Sequence, residues 1–122
     1  MNPSTPSITP ETPVAGALYS VDDGDGHYRV AKVLAVDPDG VHIRLYKNKF
    51  SERPSNVDFS LLDLGSIHDP DGFGMGHMPL SYASFSAWEP IFLMANGVDE
   101  EELEGYVYWK GAQGGYFGGP AH

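Results

Sequence analysis

The sequence predicts a mainly β (α+β) protein, a small, partly open antiparallel barrel of about five strands with one C-terminal helix. Short apolar segments begin at residue 16, and turns rich in Gly, Asp and Pro separate them, which is typical of antiparallel strands. One late segment opens with several carboxylates and has the apolar spacing of a helix. The 122 residues suffice for one core and not for two.

The first three strands are predicted to form a meander. ALYSV (17–21) and YRVAKVLAV (28–36) flank a polar DDGDG turn, and DPDG (37–40) suits a type I turn. The next strand alternates two sets of side chains: Val41, Ile43 and Leu45 against His42, Arg44 and Tyr46. Because such alternation turns one set toward the core, the apolar set is predicted inside and His42 at the surface.

The middle of the chain is predicted to be less regular. Residues 57–65 (VDFSLLDLG) fit either a fourth strand or one helical turn. Residues 65–79 hold four Gly and two Pro, a density that predicts a long irregular loop. Residues 85–95 (FSAWEPIFLMA) favour a strand that Pro90 interrupts, which places Pro90 at an edge or a bulge.

The last predicted element is a helix after the Asn-Gly turn signal at 96–97. Asp99 is followed three positions later by Glu102, the spacing of a helix N-terminus that caps itself. A strand over residues 104–110 stays an alternative, because an internal glycine and the aromatic residues weaken a helix. The residues expected to share one helical face are Leu103, Tyr106, Val107 and Lys110.

One domain is predicted over residues 15–117. Residues 1–14 carry four Pro among Ser and Thr, which predicts a disordered tail; a docking peptide for an SH3-type partner is the alternative. Residues 118–122 are expected to be a flexible C-terminus, with Tyr116 and Phe117 anchoring the chain just before it. The side chains expected in the core are Leu18, Val30, Val33, Leu34, Val36, Val41, Ile43, Leu45, Leu61, Leu64, Trp88, Ile91, Leu93, Leu103, Val107 and Trp109.

The composition argues against several classes of function. The 17 acidic and 7 basic residues give a net charge of -10, which opposes binding to nucleic acid and to anionic membranes. The chain has no Cys, so disulfides, thiolate zinc sites and Cys nucleophiles are excluded. No segment has the pattern of a signal peptide or a membrane span, and a cytoplasmic protein is expected.

The charges are distributed unevenly along the chain. Six of the seven basic residues lie between residues 29 and 53, where a basic strip beside Tyr46 is a candidate binding surface. The alternative is that these bases balance nearby carboxylates. Glu100 and Glu101 are candidates for an acidic face that docks a basic partner, or they stabilise a helix N-terminus. The strip comprises Arg29, Arg44, Lys47, Lys49 and Arg53 with Tyr46 among them, and all of these except Arg29 are candidate binding residues.

Motifs for catalysis and metal binding are missing from the sequence. It contains no GxSxG elbow, P-loop, HExxH or dinucleotide fingerprint, so neither an enzyme nor a cofactor is expected. The DDGDGH run lacks calcium-loop spacing. His68, Asp69, Asp71 and His77 offer metal-ligand atoms, but their spacing matches no ligand motif and no metal is expected. His77 is expected to lock its loop through backbone carbonyls, with a ligand or catalytic contact as the alternative.

Several stretches resemble small, uncharacterised bacterial proteins, including ones grouped as immunity proteins of polymorphic toxin systems. The stretches are GALYSVDDGDGHYRVAKVLAV, HIRLYKNKFSERP, GHMPLS, AWEP and EELEGYVYWKG. The resemblance covers residues 15–117 and implies an SH3-like or tudor-like barrel with no catalytic residues. The Gly-rich segment 65–79 departs from that pattern.

The expected function is a non-enzymatic protein-binding module, of the immunity type, whose acidic surface meets a basic protein partner. The first alternative is a small metal-dependent or His-based hydrolase that uses His77, His68 and nearby acids. The second is a tudor-like aromatic groove for peptide or nucleic acid, built on Tyr19, Tyr46 and Trp88.

Overall fold

The fold is an open antiparallel sheet with short helices. The computed structural model describes residues 13–65, 74–112 and 114–116, and within them five strands form one sheet in the order β4-β3-β2-β1-β5. The strands are β1 (Ala17–Asp22), β2 (Tyr28–Asp37), β3 (Gly40–Leu45), β4 (Met75–Ser81) and β5 (Ile91–Ala95). The helices are α1 (Tyr82–Ala87) and α2 (Glu104–Gly111), and single 3-10 turns span Phe59–Leu61 and Glu101–Leu103.

The predicted meander is confirmed. Strands β1, β2 and β3 pair in sequence order, and the hairpin between β2 and β3 closes with Asp37 opposite Gly40. Segment 37–40 therefore turns the chain where it was predicted to, although Gly40 does not take a positive φ and is needed instead for the close approach of Leu80 O and Tyr116.

Both faces of the sheet are covered. On one face, Tyr19, Val33 and Ile43 pack with Phe85 from α1 in the larger core cluster. On the other face, Leu18, Val30 and Tyr46 form a second cluster beneath apolar side chains of the segment that follows β3. Each central strand therefore buries both of its sets of side chains, which is unusual for an antiparallel sheet.

The mainly β class is confirmed, and the sheet is open. Its order places β4 and β5 at opposite edges, and the described residues contain no pairing between them. Two helices are present where one was predicted. Helix α1 occupies the start of the segment predicted as a strand over 85–95, because the Ser81 hydroxyl caps it at Ser84 N, 3.1 Å away. Pro90 lies immediately before the edge strand β5, so it does not interrupt a strand as predicted.

The prediction of an irregular loop over 65–79 is wrong for its last five residues. Those residues belong to β4, which pairs with β3 along one side only. An edge strand tolerates the missing N–H of Pro79 and a glycine, so their density did not prevent a strand. Residues 66–73 lie outside the described ranges. For segment 57–65, the helical-turn alternative holds: Asp58 Oδ1 accepts from Ser60 N at 3.0 Å.

Helix α2 confirms the helix predicted over 104–110, but the predicted face is only partly correct. Val107 is 65% exposed, whereas Tyr106 and Trp109 turn inward against β3. Aromatic rings determine which side of α2 packs on the sheet. The spacing of apolar residues did not distinguish these rings from Val107. Three other expected core residues are exposed because they lie at the end of a strand, in a 3-10 turn or on an edge: Val36, Leu61 and Ile91.

The ends of the chain are described only in part. Residues 1–12 and 117–122, which include most of the predicted tails and Phe117, lie outside the described residues. Tyr116 does anchor to the body, through hydrogen bonds to His42 and Asp37. Among the helices that the structure describes, none has the length and apolar character needed to cross a membrane.

Candidate functional site

Two histidines and an aspartate meet where β2, β3 and β4 lie side by side. His42 on β3 is fully buried, so the prediction of a surface position is wrong. The alternation along β3 was correct, but α2 and Tyr116 cover the face on which His42 lies. In the sequence, the only feature that could have indicated this burial is the group of aromatic residues near the C-terminus, which cover His42 in the structure.

A chain of hydrogen bonds joins the three residues. His42 Nδ1 lies 2.9 Å from His77 Nε2, and His42 Nε2 lies 3.0 Å from Asp37 Oδ2. A carboxylate only accepts, so His42 Nε2 carries a hydrogen, and the Nδ1 of a neutral His42 must then accept one from His77 Nε2. The planes of the two rings lie within 7° of each other, and their centroids are 5.2 Å apart.

Two tyrosines complete the surroundings of Asp37. Tyr106 donates to Oδ1 at 2.9 Å and Tyr116 donates to Oδ2 at 3.0 Å. Burial by itself would raise the pKa of Asp37, but the hydrogen bonds from Tyr106, Tyr116 and His42 outweigh it and lower that pKa. The carboxylate is therefore ionised at neutral pH.

The histidines are held neutral. Burial lowers the pKa of His42, although Asp37 opposes the shift, and the positive charge of Lys110 lowers it further. Burial and the neighbouring His42 lower the pKa of His77. Desolvation disfavours the charged imidazolium, so this pair binds protons less readily than free histidine does.

Helix α2 closes the cluster. The rings of Tyr106 and Trp109 lie with their centroids 4.5 and 4.3 Å from that of His42. Gly105 makes this approach possible, because a Cβ at that position would lie 2.6 Å from His77 Cβ. His77 thus bonds to the ring of His42, and among the described residues it has no backbone carbonyl partner of the kind that was expected.

The described residues contain no group of three or more His, Cys, Asp or Glu arranged to hold a metal ion. His68, Asp69 and Asp71 of the considered metal set lie outside the described ranges. Within the cluster, both ring nitrogens of His42 are already engaged in hydrogen bonds. The chemistry available to the cluster is proton uptake and the positioning of α2.

A second feature is the outward side of α2 and the turn before it. Glu100, Glu101 and Glu104 are exposed, and in the described part of the chain no Lys or Arg lies within ion-pair distance of them. Val107 and Tyr108 are 65% and 81% exposed. We call these five residues the outer face of α2; two of them, Glu100 and Glu101, were predicted from the sequence.

The predicted basic strip is largely engaged within the protein. Arg44 lies 3.8 Å from Glu102 and donates through Nε to Gly76 O. Lys49 Nζ lies 3.4 Å from Asp25, and Arg53 donates to the backbone and hydroxyl oxygens of Ser20 at 3.0 and 2.7 Å. Lys47 is half-buried.

Tyr46, expected among these bases, lies inside the second core cluster and is 4% exposed. Its hydroxyl has no hydrogen-bond partner in the described part of the chain. Burial and the negative charge of Glu102 raise the pKa of Tyr46 to about 12. The ring packs at 90° to Phe59, so its contacts are those of a core residue.

Comparison with known proteins finds no matching family model, no matching curated protein and no matching solved structure. The histidine cluster and the outer face of α2 are therefore the observations from which a function is inferred.

Proposed function

We propose that this protein is a non-enzymatic protein-binding module that receives a basic partner on the outer face of α2. The observation that carries the proposal is a group of exposed carboxylates, with no Lys or Arg within ion-pair distance in the described part of the chain, on the same helical segment as an aromatic side chain that is 81% exposed. Large exposed apolar residues next to such charges are typical of interaction sites.

The five residues share one side of the chain because residues 101–111 are helical. Glu101, Glu104 and Tyr108 are spaced by three and four positions, which places their side chains in one row. Glu100 and Val107 flank that row. The carboxylates and the apolar groups can therefore contact one partner together.

The chemistry of this face selects a basic protein. Lysine and arginine side chains pair with the carboxylates, and the ring of Tyr108 can receive a cation on its face. The net charge of -10 attracts such a partner over longer distances. The resemblance to immunity-type proteins suggests a basic toxin as this partner. The SH3-like barrel that the same resemblance implies is also part of this proposal.

The strand β5 offers a second exposed apolar surface but is not the proposed site. Ile91 and Phe92 are 52% and 51% exposed, and β5 contains no charged residue. It therefore has no feature that selects one partner by charge. A substitution at Ile91 serves as a control for changes to the outer face of α2.

A His-based hydrolase is the second candidate, favoured by one observation. The Asp37–His42–His77 chain orients His77 as a catalytic base is oriented in many hydrolases. No hydroxyl nucleophile in the described residues is hydrogen-bonded to His77. The Asp37–His42–His77 chain therefore has no group in these residues that it could activate. The tudor-like groove has less support, because Tyr19 and Tyr46 are buried.

The test compares variants of equal net charge. The full chain is immobilised and exposed to lysate of its native host, and bound proteins are quantified by mass spectrometry. We expect a basic protein to bind, to be released by salt and to be lost with Glu100→Gln/Glu101→Gln or with Tyr108→Ser.

The control Glu52→Gln/Glu89→Gln removes two exposed carboxylates elsewhere and should retain the partner, as should Ile91→Thr. Equal loss of binding in the two double variants would show that only net charge matters. Binding that survives both changes to the outer face of α2 would reject this site.

A further inference from the structure

The C-terminal segment is attached to the sheet at two places with different chemistry. The first is the ion pair between Lys32 on β2 and Glu102, whose closest atoms lie 2.9 Å apart. The second is the histidine cluster, where Tyr106 and Trp109 pack on His42. The first attachment precedes α2 in the chain, and the second holds α2 itself.

The histidine pair tolerates one proton and not two. In the neutral pair, His77 Nε2 donates to His42 Nδ1 across 2.9 Å. A first proton can enter at His77 Nδ1, which has no partner among the described residues, and the bond between the rings survives. A second proton must go to His42 Nδ1, and then two N–H groups face each other across that distance.

Two protons also place two positive charges on rings whose centroids are 5.2 Å apart. Both rings are largely shielded from water, which strengthens their repulsion. The pair must then separate. Helix α2 packs against both rings, with Gly105 on His77 and Trp109 on His42. Separation of the rings therefore disrupts the packing of α2 on the sheet.

We propose that the His42–His77 pair makes the docking of α2 depend on protonation, so that acidification releases α2 while Glu102 stays bound to Lys32. The release rests on the cluster alone. Its consequence, that partner binding weakens in acid because the outer face of α2 loses its support, rests on the proposed function.

The groups that face the pair agree with this order of events. Asp37 on β2 faces it with its carboxylate, Tyr106 and Lys110 face it from α2, and Tyr116 faces it from the segment after α2. Asp37 favours a first positive charge through its bond to His42, and Lys110 opposes further charge. The pKa of Glu102 is lowered by its hydrogen bonds to Asp99 N and Lys32, which outweigh its burial, so the first attachment persists to lower pH.

The test follows amide hydrogen exchange of the full chain by NMR, corrected for the intrinsic pH dependence of exchange. Between pH 7 and pH 5, protection in α2 should fall at least about tenfold and drop below that of β2 and β3, which follows the free energy of global unfolding at each pH. The imidazole ¹⁵N shifts of His42 and His77 should show the second protonation at the same pH at which α2 loses protection. Protection in α2 that stays equal to that of the sheet at every pH, or second protonation without a change in α2, would overturn the proposal.

Variants test the pair directly. In His77→Gln the amide can still donate to a neutral His42, or accept from a protonated one, so the pH dependence of α2 should disappear. His27→Gln changes an exposed histidine outside the cluster and should behave as the parent chain. An unchanged pH dependence of α2 protection in His77→Gln would reject the mechanism. If that variant does not fold, the test is whether the ¹⁵N shifts and the exchange of α2 change at the same pH in the parent chain. None of these measurements needs the partner, so their failure is separate from failure of the proposed function.

Discussion

The ammonium of Lys32 and the carboxylate of Glu102 form an ion pair inside the protein, with Nζ 2.9 Å from Oε1 and 3.0 Å from Oε2. Lys32 is 1% exposed and Glu102 is 8% exposed. Asn96 accepts a further hydrogen bond from the ammonium, and the ring of Phe59 lies beneath it at 5.0 Å. This pair connects the centre of the sheet to the segment that leads into α2.

Removing one member of this pair should be costly. Lys32→Met removes the closest cation and its hydrogen bonds and leaves the buried carboxylate of Glu102 with the more distant Arg44 at 3.8 Å, and we expect a loss of about 3–5 kcal/mol in the free energy of unfolding. Urea denaturation at pH 7 measures it. The double variant Lys32→Met/Glu102→Met should be more stable than Lys32→Met alone, because it buries no unpaired charge. A single variant as stable as the parent would show that solvent reaches Glu102.

Gly105 and Gly111 give a matched pair of substitutions in one helix. Gly105→Ala places a Cβ 2.6 Å from His77 Cβ, whereas nothing lies within 4 Å of a Cβ at Gly111. We expect Gly105→Ala to lose about 1–3 kcal/mol through overpacking and Gly111→Ala to gain up to about 1 kcal/mol through helix propensity. Thermal unfolding compares them, and equal effects would contradict the close packing of α2 on β4.

The hydroxyl of Tyr46 should contribute nothing to stability. It is buried without a hydrogen-bond partner in the described part of the chain, so Tyr46→Phe should leave the free energy of unfolding unchanged or raise it by up to about 1 kcal/mol. Tyr116→Phe is the control, because it removes a bond to the Asp37 carboxylate and should lose about 1–3 kcal/mol. A clear loss in Tyr46→Phe would reveal a bound water or another partner.

Stability should depend on pH in two separate ranges. The pKa values of His42 and His77 are lowered from 6.5 in the folded protein, so the unfolded chain binds more protons once the pH falls below about 6.5. Their contribution is complete above that pH and is lost as the pH falls toward the folded values. The lowered pKa values of Glu102 and Asp37 act later, below 4.5 and 3.8.

Denaturation curves at pH 7.5, 6.5 and 5.5 test this order. Each histidine adds at most about 1.4 kcal/mol per pH unit to the slope. The slope in this range should fall in His77→Gln and persist in His27→Gln. A flat profile above pH 5 would show that the cluster binds protons as readily as the unfolded chain.

The sequence by itself determined the elements that local chemistry decides. The Pro and Gly of segment 37–40 turn the chain within four residues, so the β2–β3 hairpin followed from turn geometry alone. The carboxylates of Asp99 and Glu102 likewise placed a helical start where the structure has one, and Glu102 accepts from Asp99 N at 2.9 Å. Exposed Glu100 and Glu101 followed from the same pattern.

Only the tertiary structure decided that the polar side of β3 would be buried as well as the apolar side. His42 and Tyr46 alternate with apolar residues as surface residues do, yet α2 and the segment after β3 cover them. The same coverage buries Lys32 and leaves Val107 in solvent. Burial depends on segments distant in the chain that pack together through ring contacts and ion pairs, and the period of one strand or helix contains no information about those segments.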